Sequence, residues 1–112
     1  MTSRMNGTLR ALTIVNALIY FGAAAYHSGV LVSGGALAPA SIAEALLGLV
    51  LVVALVGAVS PRIAYVIVLA GTLFGLSIVV ARGLLGVDLW IHIVMLAGLG
   101  LAFALLFARR TA

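Results

Sequence analysis

Apolar residues run almost unbroken along this chain, and the breaks between the runs are short clusters of glycine, proline and serine. Four stretches stand out, roughly Leu9 to Leu31, Ile42 to Val59, Ile63 to Ala81 and Leu89 to Phe107. Each is close to the ~20 residues that a helix needs to cross a ~30 Å hydrocarbon core. The runs lack the apolar/polar alternation of barrel strands, and a backbone in lipid must satisfy its own hydrogen bonds, so the pattern predicts helices. Gly29, Gly34, Gly35 and Pro39 punctuate the first break, Ser60 and Pro61 the second, Gly83 and Gly86 the third. The expected fold is all-α: an integral membrane four-helix bundle with short loops, a single transmembrane domain over residues 1–112.

Composition agrees. Apolar residues make up 66% of the chain, charged residues only 7%, and the mean hydropathy is +1.42. A soluble domain carries about 25% charged residues to solvate its surface, so the lipid bilayer is the expected surrounding. Cysteine is absent, which removes disulfides and thiolate chemistry together. Arg4, Arg10 and the Ala23-Ala24-Ala25 run imitate a signal peptide with a small-residue cleavage site. The apolar stretch continues beyond it and is long enough to anchor, so the first span is expected to stay as a helix.

With four spans both termini share one side. That side holds Arg4, Arg10, Arg62, Arg109 and Arg110, with Arg82 alone opposite, so both termini are expected in the cytoplasm. In size and span count the chain resembles the small multidrug resistance transporters, antiparallel dimers working around a glutamate in the first span. Here the first span holds no carboxylate, and no residue role carries over from that family.

On this topology the remaining ionisable groups gather at one end. His27 lies near the outer end of the first span, Glu44 at the start of the second, Asp88 at the start of the fourth, and His92 one turn deeper. Asp88 and His92, four residues apart, share a helix face about 6 Å apart along the axis. Ionisable groups in a membrane are costly and usually face the bundle interior, where bundles build metal sites from histidines and carboxylates. His27, Glu44, Asp88 and His92 are therefore the candidate ligands for a divalent transition metal, Zn, Fe, Mn or Cu, or for a small molecule. Haem between His27 and His92 is a variant that explains fewer residues. Local explanations compete: Ser41 to Glu44 reads as a capping box, Asp88 as an N-cap, and His27 as an interfacial residue in a last turn.

Thr13, Asn16, Tyr20 and His27 form a polar stripe on one face of the first helix. Asn16, near mid-membrane, needs partners, so this face is expected to turn inward, with Asn16 and Tyr20 as candidate ligand contacts. Met95 follows His92 on roughly the same face, as a packing residue or a soft copper ligand. Gly71-x-x-x-Gly75 marks a close helix approach, internal or in a homo-oligomer. Arg82 is expected either to bridge to Asp88 or Glu44 or to anchor an anionic ligand or lipid phosphate. Tyr26, Tyr65 and Trp90 read as interfacial anchors.

The chain has no G-x-S-x-G, no H-E-x-x-H, no phosphate loop and no dinucleotide fingerprint, which excludes hydride and phosphoryl transfer on soluble nucleotides. The arginines are scattered over helix ends, so nucleic acid is not a partner. Three functions remain: a metal- or ligand-binding membrane protein, an accessory or assembly subunit of a larger membrane complex, and a proton-coupled carrier using Glu44 or Asp88.

Overall fold

The computed structural model describes residues 5–29 and 38–111, and the side chains within these apart from those of 38 and 109–111. Arg4, Gly34, Gly35 and the expected end of the first span at Leu31 lie outside the described residues, as do the Arg109 and Arg110 side chains. Four helices follow one another: α1 Gly7–His27, α2 Ala38–Leu55, α3 Pro61–Ala81 and α4 Val87–Thr111. α1 and α3 each pack against both α2 and α4, so the helices stand at the corners of a square in chain order. α1, α3 and α4 are long and apolar enough to cross a membrane; α2, with an apolar portion Pro39–Leu55, is shorter.

The helix ends follow from local chemistry. Asn6 caps α1 by accepting from the Leu9 amide at 2.8 Å, and Ser60 caps α3 through the Ile63 amide at 3.2 Å, with Pro61 placed where its missing N–H costs nothing. α2 departs from expectation at both ends. Pro39 lies in its first turn, where proline is tolerated, and not in a loop. The helix stops at Leu55, short of the expected Val59. There Gly57 adopts φ 82° and the Ala58 and Gly57 amides bond back to Val53 and Ala54, both at 3.1 Å. That pairing is the Schellman arrangement, which needs a left-handed residue and so favours glycine. Gly83, at φ 68°, ends α3 in the same way.

Each helix buries one stripe. On α1 it comprises Leu9, Thr13, Asn16, Ala17, Tyr20, Ala23, Ala24 and His27, the three-and-four spacing of an amphipathic face inverted so that the polar groups lie inside. α4 contributes His92, Met95, Leu99, Ala102 and Leu106, and α3 contributes Ala64, Tyr65, Val68 and Thr72. Small residues recur in these stripes and let the backbones approach closely, which is what helix packing in lipid requires. Leu18, Val56, Trp90 and Phe107 point outward and are exposed. Lipid-facing surface of this kind is the complement of a polar interior.

Tyr65 corrects the sequence expectation. It is fully buried, because it shares the inward face of α3 with Val68 and Thr72. Its hydroxyl meets the Thr13 hydroxyl at 2.8 Å and accepts from the Asn16 carboxamide at 3.1 Å. Asn16 also donates to the Gly98 carbonyl at 3.2 Å, and a Cβ at Gly98 would overlap its carboxamide. Higher in the bundle Tyr20 and Thr72 pair through their hydroxyls at 2.5 Å. The polar stripe of α1 therefore faces inward, as expected; Thr13, Asn16 and Tyr20 tie α1 diagonally to α3, and Asn16 also bonds to α4.

Candidate functional site

His27 occupies the last turn of α1 and is 2% exposed. Glu44 is in the second turn of α2 and Asp88 in the first turn of α4, where a negative charge is favoured by the helix dipole. The up-down order of the helices brings these ends together. His27 Nδ1 lies 2.6 Å from Glu44 Oε1, and its Nε2 lies 2.5 Å from Asp88 Oδ1. The imidazole is thus clamped between two carboxylates that come from different helices.

This arrangement overturns the local explanations. The Glu44 carboxylate bonds to His27 and does not close a capping box on Ser41; α2 is already helical at Ala38, so Ser41 is inside the helix and its hydroxyl donates to the Ala24 carbonyl at 2.7 Å. Asp88 lies within α4 and is not its N-cap. His27 is buried and does not reach interfacial water.

Counting the protons in these two contacts gives the charge of the triad when no further proton is bound to a second carboxyl oxygen. Ionised carboxylates only accept, so each of the two short N···O contacts needs one proton between its atoms. Either the imidazole carries both, beside two carboxylates, or it carries one and a carboxyl holds the other. Both distributions sum to a net charge of −1.

His92 sits one turn deeper and is 7% exposed. Its Nδ1 lies 2.8 Å from the Asp88 backbone oxygen; a carbonyl can only accept, so Nδ1 carries the hydrogen. The other edge of the ring faces α3, where a Cβ at Gly75 would stand 2.8 Å from Nε2. At Gly71 an added Cβ would stand 2.9 Å from the Leu47 side chain. The two glycines spaced by three residues therefore make room, within one chain, for side chains of α4 and α2.

A cavity of about 330 Å³ opens beside these groups. Its polar end is formed by His27, Glu44, Asp88, His92 and Arg82; Tyr20 and Thr72 lie deeper, and Leu47, Phe74, Ile78 and Met95 supply apolar wall. Arg82 caps the C-terminus of α3 and is exposed. The expected bridge from Arg82 to Asp88 or Glu44 is not formed: among the described residues both ion pairs belong to His27. Met95 is buried in the core as well as lining the cavity.

As placed, His27 has no free nitrogen to offer a metal ion or a haem iron, since both face carboxylates. Among the described residues no group of three or more His, Cys, Asp or Glu side chains is disposed to hold a metal ion. Of the candidate ligand contacts, Tyr20 and Arg82 line the cavity, whereas Asn16 is committed to Tyr65 and Gly98. Thr72, Gly75 and Leu47 were not singled out for the site by sequence; Thr72 falls seven residues after Tyr65, an inward spacing that marks the same face of α3. The chain matches no protein-family model, and comparison with curated proteins and with solved structures likewise finds no match.

Proposed function

We propose that this protein is a membrane-embedded binding protein that takes a small amphipathic molecule into the cavity between its helices, the polar group of the ligand lying against the His27 triad, His92 and Arg82. One observation carries this reading: a single cavity, open on one side, joins a cluster of ionisable groups to an apolar wall. Small-molecule sites have this composition, mostly apolar with a few placed polar groups, and volumes of a few hundred Å³. Caps and interfacial anchors would leave no reason for the groups to converge on a cavity. The arginine bias supports placing both termini in the cytoplasm and the cavity in the outer leaflet. Ala43, Phe74 and Ile78 line the cavity and are also exposed, so in a bilayer its opening faces lipid and admits a ligand dissolved there.

Methionine provides the test, because the chain has only three, Met1, Met5 and Met95. Methyl-labelled protein in phospholipid nanodiscs is titrated with 1-octanol. A saturable shift of the Met95 signal, with Met5 unchanged, is expected in the wild type and is lost in Ala43→Trp, which fills the mouth and leaves the three residues of the triad unmutated. A Met95 signal indifferent to octanol, or equal shifts in Ala43→Trp, would refute the binding reading.

A further inference from the structure

The charge of the ligand can be read from how the polar end of the cavity is satisfied. Glu44 and Asp88 each give one oxygen to His27, and the described residues supply no further hydrogen bond to the other oxygen of either. No side-chain nitrogen or oxygen among the described residues is buried without a partner. The second oxygens are therefore accessible, and both residues line the cavity. With those two protons alone the triad carries one net negative charge, and its side chains are 2% (His27), 8% (Glu44) and 21% (Asp88) exposed. A charge held at such depth is weakly screened and strongly favours a counter-charge at contact.

Among the described residues, neither carboxylate is in an ion pair with any group other than His27. Arg82 makes no ion pair among the described residues and is exposed at the end of its helix, so its field is screened by water and head groups. His92 makes no ion pair among the described residues; its Nδ1 hydrogen goes to the Asp88 carbonyl and its Nε2 faces α3 at Gly75. Tyr20 is engaged with Thr72. The two accessible carboxylate oxygens are thus left as acceptors around a deficit of one positive charge.

We infer that the cavity selects a cationic amphiphile, an organic ammonium whose N–H groups donate to the free oxygens of Glu44 and Asp88 while its hydrocarbon part lies along Leu47, Phe74 and Met95. This inference rests on the binding reading above and adds the charge class.

The experiment compares three probes of equal chain length, octylammonium, 1-octanol and octanoate, by the Met95 methyl signal in nanodiscs at neutral pH. Because the three also partition into lipid, each titration is referred to Ala43→Trp, which partitions alike but has no open cavity. Octylammonium is expected to bind at least about tenfold more tightly than the other two, a difference of roughly 1.4 kcal/mol. The preference should vanish in Glu44→Gln/Asp88→Asn, which keeps hydrogen-bonding shape and removes the charge. Equal affinity for octylammonium and octanol, or tightest binding of octanoate, would overturn the charge inference and leave the binding site standing. Failure of all three probes to shift Met95 would refute the binding site itself. Since the comparison among probes is made on the wild type, the outcome does not depend on the double variant folding.

Discussion

Removing the imidazole of His27 tests whether the triad is a structural unit. His27→Ala deletes two charge-assisted hydrogen bonds, at 2.6 Å to Glu44 and 2.5 Å to Asp88. Bonds to charged partners contribute roughly 1.5–3 kcal/mol each. The Asp88 side chain is 21% exposed, which places its bond at the low end, whereas Glu44 is nearly enclosed. Breaking a buried pair also strands the remaining charge, and here it strands two like charges that face each other across the bundle from α2 and α4, which raises the cost further. Interhelical polar contacts in lipid have measured lower, about 0.6 kcal/mol on average, because the unfolded chain finds partners in the membrane too. Between these bounds the expected loss is about 3 kcal/mol. Reversible unfolding in mixed micelles of dodecyl maltoside and dodecyl sulfate, followed by helicity, measures it. The signature lies in the second step: His27→Ala/Glu44→Gln/Asp88→Asn should recover at least ~1 kcal/mol over His27→Ala, because the stranded charges are gone. A loss below about 1 kcal/mol for His27→Ala, or a triple variant less stable than the single one, would refute the account of the triad as a mutually satisfied charge cluster.

Two further outcomes follow from close helix approaches. Gly98→Ala should destabilise by roughly 1–3 kcal/mol, because the new methyl displaces the Asn16 carboxamide from Tyr65 and the Gly98 carbonyl; in an Asn16→Ala background the same change should cost little, and strict additivity in the double-mutant cycle would contradict the interlock. Gly75→Ala should push the His92 ring off α3, shifting its side-chain NMR resonances, with the fold retained; unchanged His92 resonances would show that the ring does not rest there. For orientation, a reporter fused at Ala112 should report a cytoplasmic C-terminus and one inserted at Gly35 an external loop, and the reverse result would move the cavity to the inner leaflet.

What could be read along the chain was whatever depends on neighbours in sequence. Hydropathy and the run lengths determined the helical, membrane-spanning class, because an unpaired backbone cannot exist in lipid. Helical spacing determined that Thr13, Asn16, Tyr20 and His27 share a face, and the cost of a buried carboxamide determined that the face turns inward. The alternation of helix direction was enough to place His27, Glu44 and Asp88 at one end of the bundle. Local rules misled where a stronger partner lay far away in sequence. Ser41 and Glu44 had the spacing of a capping box, but α2 is helical from Ala38 and the carboxylate found an imidazole 17 residues earlier in the chain. Tyr65 looked like an anchor because it lies near a span end, yet its hydroxyl is worth more against Thr13 and Asn16 than at the interface. Gly57 carries no signal along the chain, because a glycine near a span end is unremarkable until the geometry demands φ 82° there. Only the tertiary structure decided that both nitrogens of His27 are occupied, that Arg82 is left out of the ion pairs among the described residues, and that an open cavity meets the triad. Those properties depend on side-chain distances across helices, where a shift of one ångström separates a hydrogen-bonded cluster from an open set of ligands, and no pattern along a single helix carries that distance.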